Sequence, residues 1–293
     1  MEYAPLDLHC HSTASDGALA PADVVALAAT RGIRVLALTD HDTLLGIAAA
    51  RAAGEKLGVH VVTGIEISAI YPQGQCHLLA WLPERVPASF IAWTQQRMIQ
   101  RESRAELIVA RLNEQGFAIR WEDVQARAVG NIGRPHIADA LVAAGYCTGR
   151  GDAFQRLIGP GHHAYVPSGK IEPEEAVEAA VAAGGLVSLA HPYTLELEGE
   201  PLSDFVGRLA DAGLGALEAH RGDHDAVRQA EYRALAIRHG LLVSGGSDFH
   251  SLTRANGPRG RRDLGWHGRP GLSDDDRELL LSRLPGVPAA LRA

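Results

Sequence analysis

The stretch DLHCHSTASDG, Asp7 to Gly17, decides the fold and points to the chemistry. A short apolar run, Leu6 to Leu8, leads straight into it and reads as a strand. Side chains alternate along an extended chain, so Asp7, His9 and His11 face one side. Cys10 then faces the other side and reads as core packing. Imidazole and carboxylate together are a ligand set for zinc, manganese or iron, and Asp16 stands a few residues on.

The same pattern recurs outward from this segment. Val35–Leu38, Val59–Ile65, Leu78–Trp81, Leu186–Ala190, Ala216–Ala219 and Leu241–Ser244 read as six further strands. They show little period-two alternation, which suits strands buried on both faces. Metal-type residues cluster at or near their ends: Asp40, His41 and Asp42; Glu66; His77; His191; Glu218 and His220; Asp248 and His250. One histidine at a strand end is more often a hydrogen-bonded structural residue than a ligand. Such residues on at least five strands form a different pattern, because parallel strands of a barrel converge at one mouth.

Ala-rich helical segments separate the strands: Pro21–Arg31, Gly46–Leu57, Pro173–Ala183, residues 202–212 and residues 224–239. Proline in the first turn and glycine just past the end are the expected start and stop signals. This alternation predicts an α/β fold with a parallel sheet. Residues 91–165 break it, with helical patterns over Ile91–Gln115, Trp121–Ala128 and Arg134–Ala144. We read them as a helical insertion capping a barrel formed by 1–90 and 166–293. The Gly- and Arg-rich GPRGRRDLG, 257–265, reads as a loop before a short helix near Ser273–Leu284.

Composition narrows the function classes. Lys plus Arg is 28 against 35 Asp plus Glu, a net charge of −7, which argues against a general nucleic-acid coat. No apolar run reaches the length of a membrane span, and no secretory leader is visible. Three scattered cysteines do not make a disulfide framework, so a cytoplasmic setting is expected. Fourteen histidines are the unusual count. His60, His162, His163, His224, His239 and His267 lie outside the strand-end pattern and read as surface or loop residues.

DLHCHSTASDG at 7–17, LTDHD at 38–42, GIEIS at 64–68, LAHP at 189–192 and SDFH at 247–250 together resemble the polymerase and histidinol phosphatase (PHP) family. The resemblance covers nearly the whole chain. It implies a distorted seven-stranded β/α (TIM-like) barrel and hydrolysis of phosphate esters with two or three divalent metal ions. Manganese is the first expectation, with zinc or iron as alternatives. It further implies that His9, His11, Glu66 and Asp248 hold one metal at the reacting centre. Glu66, His77 and His191 would hold a second, with Glu66 bridging, and Asp16, His41 and His250 a third. The attacking group would be a hydroxide generated on the metals. Asp7, Asp40 and Asp42 are expected behind the ligands, accepting the free N–H of ligand histidines. His220 stands open between that role and a substrate contact.

Arg97, Arg101, Arg104 and Arg111 fall near one face of the long insert helix, and Arg134 opens another helix. Guanidinium groups bind phosphate bidentately and keep their charge. A solvated helix face paired with Glu102 and Glu106 is the competing reading. RESRAEL at 101–107 and NIGRPHIA at 131–138 resemble the subgroup that removes the 3′-phosphate from nucleoside 3′,5′-bisphosphates. That resemblance implies that Arg101, Ser103, Arg104 and Arg134 hold the 5′-phosphate of a small nucleotide. The alternatives are 5′-3′ exonuclease action on short 5′-phosphorylated RNA or oligonucleotides, histidinol phosphate hydrolysis, and a non-enzymatic module. Nothing points to a membrane or an obligate protein partner.

Overall fold

The computed structural model describes residues 3–71, 75–167, 171–252 and 263–292. Its seven strands are β1 (Leu6–Cys10), β2 (Val35–Leu38), β3 (His60–Ala69), β4 (Cys76–Leu82), β5 (Leu186–Leu189), β6 (Ala216–His220) and β7 (Leu242–Gly245). They form one sheet in sequential order from β1 to β7. β1, β2 and β3 pair in parallel, as do β5, β6 and β7.

The expectation of a fully parallel sheet is corrected at β4, which is antiparallel to both β3 and β5. The reason is the length of the link. Residues 70–75 are too few for the crossover that a parallel neighbour demands, which takes a dozen residues or more. The consequence matters for the site. In an antiparallel strand the first residues, not the last, lie at the mouth, so His77 pairs in register with Ser68 near the end of β3.

The sheet curls into a distorted barrel. Trp81 of β4 is fully buried, and its Nε1 donates to the Leu8 carbonyl of β1 at 3.0 Å, across three steps of strand order. Leu6, Leu8, Val62, Leu79 and Trp81 share one interior cluster with Leu280 and Leu281. The edges meet where the chain leaves β7: the Asp248 amide donates to the His9 carbonyl at 2.8 Å and the His11 amide to the Phe249 carbonyl at 2.9 Å. Gly246 permits this approach, because a Cβ there would stand 2.3 Å from that of His9.

Helices α1 (Pro21–Thr30) and α2 (Ile47–Leu57) cover β1 and β2 from outside. The face formed by β3 to β6 is packed by α7 (Pro173–Ala182), α8 (Gly199–Asp211) and α9 (Ala226–Arg238). Between β4 and β5 lie α3 (Ala88–Glu114), α4 (Trp121–Gln125), α5 (Arg134–Ala143) and α6 (Arg150–Ala153), the last running into a π turn, Phe154–Ile158. α6 and the π turn fall within the stretch expected to be helical, without bounds of their own in the sequence reading. These helices bury a cluster of their own, including Ile108 and Leu112 of α3 and Ile137 and Leu141 of α5. Phe90, at the start of α3, packs instead into the cluster around β3 to β6. α10 (Asp274–Arg283) carries Leu280 and Leu281 into the barrel interior. Most of the loop expected over 257–265 falls outside the described residues.

Candidate metal centre

Glu66 is the hub. Its carboxylate is fully buried and touches five imidazoles. Oε2 lies 3.3 Å from His9 Nε2, 3.1 Å from His11 Nε2 and 3.2 Å from His41 Nδ1. Oε1 lies 2.9 Å from both His77 Nδ1 and His191 Nε2. Asp248 Oδ1 stands 3.4 Å from His9 Nε2, 3.3 Å from His11 Nε2 and 3.4 Å from His250 Nδ1. Asp16 Oδ1 lies 3.4 Å from His250 Nε2 and 3.9 Å from His11 Nδ1 and His41 Nε2.

All nine residues expected as metal ligands are thus gathered at one mouth. Three groups offer ligand atoms within 4.8 Å of one another: His9, His11, Glu66 and Asp248; His41, Glu66 and His77; His11, Asp16, His41 and His250. The first is the expected set. In the second, His41 takes the place expected for His191, although His191 also reaches Glu66. The third gains His11.

The donor atoms fit cations. His9 Nε2, both ring nitrogens of His11, His41 Nδ1 and Glu66 Oε2 are buried without a hydrogen-bond partner. Burying polar atoms unpaired is costly, and a cation among them removes the cost. The charge balance agrees. Burial pushes the Glu66 carboxyl up, yet His41, His9 and His77 outweigh it and hold it well below the usual carboxylate range. Asp16 behaves likewise, with burial opposed by His250 and His41. Burial pulls His9 down, but Glu218, Glu66 and Asp248 push it up to about 10. Burial drives His41 well below its ordinary value.

Local backbone strain is concentrated here. Among the described residues, the non-glycine residues at positive φ are Asp42 (53°), His191 (28°), Glu196 (57°) and Asp248 (49°). Such conformations persist only where surrounding structure holds them, and they cluster at functional sites.

The supporting residues differ from expectation. Among the described residues, Asp7, Asp40 and Asp42 accept no ring N–H from a ligand histidine. Asp7 accepts the amides of His9, Ser247 and Gly265. Asp40 takes the Ser12 amide and hydroxyl and the Ser15 hydroxyl, fixing the loop that carries Asp16. Asp42 takes the Ser68 amide and pairs with Arg101. These carboxylates steady backbone rather than imidazole. The ring N–H of His9 goes to Glu218, whose Oε1 is 2.8 Å from Nδ1. That bond leaves His9 Nε2 facing Glu66 and Asp248. His220 is corrected as well: its Nδ1 bonds Gln229 of α9 at 2.9 Å, and none of its bonds reaches a candidate ligand. A register shift between Glu218 and His220 breaks the alternation that would have placed both on one face.

Two further histidines, His224 and His267, lie in loops, one of the two settings expected, but are buried. Arg221, unread in the sequence, is completely buried beside the centre and pairs with Glu218, Asp223 and Asp248. A charged residue next to a strand-end carboxylate was the one signal available. Cys10 is buried as expected, with Sγ donating to the Ala37 carbonyl at 3.3 Å.

A cavity of about 290 Å³ opens beside the centre, lined by Asp42, Ser68, Arg97, Arg101, Ser103 and Arg104 among others. Arg101 is largely committed. Nη1 donates to Asp42 Oδ2 at 2.6 Å and Ser68 Oγ at 3.1 Å, and Nε donates to the Ile132 carbonyl. Arg104 Nη2 and Arg134 Nη1 are buried with no partner. Arg134 does not line the cavity; its guanidinium carbon lies 5.2 and 5.6 Å from the ring centroids of Phe154 and Tyr165. Burial, then Arg134 and Arg101, push Arg104 down to about 9. Burial pushes Arg134 down to about 10, with Tyr165 opposing and Arg101 adding. Both remain charged at neutral pH, in a cluster short of negative partners.

Residues 7–124 match the PHP domain. A 5′-3′ exoribonuclease of Haemophilus influenzae is 35% identical over 83% of this chain and 89% of its own. The chain belongs to the PHP domain family. A second relative, a 3′,5′-nucleoside bisphosphate phosphatase of Chromobacterium violaceum, is 33% identical over 89% of this chain and 91% of its own. A solved structure from Bifidobacterium adolescentis, named as a candidate metal-dependent phosphoesterase, superposes with a TM-score of 0.80 at 32% identity, covering 97% of each chain. The barrel is therefore that of a PHP phosphoesterase. Among the described residues, no helix is long and apolar enough to cross a membrane.

Proposed function

We infer that this PHP protein removes the 3′-phosphate from nucleoside 3′,5′-bisphosphates, such as adenosine 3′,5′-bisphosphate, leaving a 5′-monophosphate and phosphate. The observation that carries the reading is the pair of unpartnered guanidinium donors, Arg104 Nη2 in the lining of a cavity shared with Asp42 and Ser68, and Arg134 Nη1 on its neighbour. One anion position there and a separate one at the imidazole hub suit a substrate with two phosphates.

His9, His11, Glu66 and Asp248 would hold one divalent ion. Glu66 and His77, with His41 or His191, would hold a second, and Asp16, His41, His250 and His11 a third; manganese is the ion expected. When bound, such ions supply Lewis acidity toward phosphoryl oxygens and lower the pKa of water. The chain's own residues do the positioning. Arg104 and Arg134, with Ser103, bind the 5′-phosphate through charge-assisted hydrogen bonds. Arg101 adds charge while its bond to Asp42 ties α3 to the loop after His41. Anchoring the remote phosphate orients the 3′-phosphate at the hub, so binding energy away from the reacting bond lowers the barrier. Residues 91–165 serve as the cap that supplies these arginines to a barrel built by 1–90 and 166–293.

The same arrangement would receive the 5′-phosphate of a short RNA, and the exoribonuclease relative favours that second reading. Histidinol phosphate fits less well, because its cationic end needs a free carboxylate. Among the described residues the one carboxylate in the cavity lining, Asp42, is already paired with Arg101. The test is kcat/KM, in manganese, for a nucleoside 3′,5′-bisphosphate, a nucleoside 3′-monophosphate, a 5′-phosphorylated oligoribonucleotide and histidinol phosphate. The bisphosphate should lead the 3′-monophosphate by at least tenfold. Equal values for those two would remove the basis of the reading.

A further inference from the structure

We propose that Arg221 is a positioning residue that sets the metal affinity of the group formed by His9, His11, Glu66 and Asp248. It follows β6 directly, and its side chain is 0% exposed, so no substrate can touch it. Its guanidinium makes four hydrogen bonds. Nε and Nη2 grip Asp223 at 2.8 and 3.1 Å, Nη1 reaches Glu218 Oε2 at 3.2 Å, and Nη2 reaches Asp248 Oδ2 at 3.0 Å.

The division of oxygens is the core of the argument. Asp248 gives Oδ2 to Arg221 and turns Oδ1 toward His9 and His11. Glu218 gives Oε2 to Arg221 and the His191 amide, and turns Oε1 to the ring of His9. One rigid, planar cation thereby fixes which oxygen of Asp248 faces the group and which nitrogen of His9 does. Asp248 also sits at φ 49°, a conformation that needs outside support. A lysine cannot replace this arrangement, because an ammonium is a point donor without the planar fork. Asp223 steadies the far side and accepts the Tyr193 hydroxyl at 3.2 Å, close to the chain leaving His191. Partners that orient metal ligands govern metal affinity by about 10- to 100-fold.

The inference rests on reading the His9, His11, Glu66 and Asp248 group as a metal position. The experiment is a manganese titration of the metal-stripped full chain, followed by the signal of free ion, on native protein and Arg221→Lys, with thermal unfolding of each. The expected result is a folded variant in which one class of sites weakens 10- to 100-fold while the others stay within about twofold, with excess manganese restoring most of kcat. Native affinity in Arg221→Lys overturns the proposal. So does uniform weakening of all sites with a large fall in Tm, which marks a purely structural role. If Arg221→Lys does not fold, Asp223→Asn loosens the same guanidinium without touching a ligand. It should weaken the same class by a smaller factor, and unchanged binding there overturns the proposal. Failure of native protein to bind manganese at all would instead remove the metal reading on which the inference stands.

Discussion

The imidazole hub and the arginine cavity lie side by side but are built in opposite ways. The hub places three buried carboxylates, Asp16, Glu66 and Asp248, among six imidazoles whose polar atoms are partly unpaired. It stands at strand ends and offers a donor set suited to cations. The cavity places arginines beside an aromatic ring and backbone carbonyls, Arg97 over Trp93 and Arg104 on the Val166 carbonyl, with Asp42 as the only lining carboxylate among the described residues. Its arginines stand on helices and offer donors suited to an anion. Asp42 joins the two, since it follows His41 and pairs with Arg101. Under the proposed function, chemistry and selectivity belong to separate structural layers.

If that division is right, changes to the hub should remove turnover on every substrate. Glu66→Gln keeps the shape but removes the charge shared by five histidines, and kcat should fall by a factor on the order of 10³ or more. The loss should be alike for a 3′,5′-bisphosphate and a 3′-monophosphate. Unequal loss on the two would mean that the hub also selects substrate.

Changes to the cavity should instead discriminate. Arg134→Ala should lose about 2–4 kcal/mol of transition-state binding, roughly 30- to 1,000-fold in kcat/KM, on the bisphosphate. It should cost little on the 3′-monophosphate, which has nothing to offer the arginine. An equal loss on both would show that Arg134 serves the reacting phosphate or the fold.

The hub should also bind cations in competition with protons. His9 is pushed up to about 10 by its carboxylates in the metal-free protein, so it carries a proton at neutral pH. A metal ion must displace that proton, so apparent affinity should rise with pH and proton release should accompany loading. Titration in weak buffer at pH 6 and pH 8 reads both effects. Affinity independent of pH would show that His9 is not a ligand. Glu218→Gln, which weakens the hold on His9, should lower metal affinity by about 10- to 100-fold by the same titration.

The smallest effect is expected at Cys10. Its Sγ faces the core and bonds the Ala37 carbonyl, although its neighbours His9 and His11 are in the hub. Cys10→Ala should keep turnover within about twofold while costing roughly 1–2 kcal/mol of stability by chemical denaturation. Abolished turnover in a folded, metal-loaded variant would argue for covalent chemistry at the thiol.

The sequence by itself determined the seven strands, their order along the chain and the metal-type residues at their ends, from which the family resemblance singled out the nine that meet at the mouth. It could do so because a strand end is a local event: an apolar run stops and polar side chains follow, and barrel closure then forces the ends together. The arginine-bearing helices were equally local, since α3 and α5 announce themselves by period and by proline. What only the tertiary structure decided concerns partners far apart in the chain. The reversed direction of β4 puts the start of that strand, with His77, at the mouth. The bulge at the end of β6 makes Glu218 the partner of His9 and turns His220 to α9. Arg221 is joined to Asp248, and Arg101 to Asp42, by contacts that no spacing along the chain predicts. A side chain's residue type fixes what it can bind, but which of several candidates it meets depends on a few ångströms of strand direction, register and backbone twist, and these are settled only when the sheet has closed.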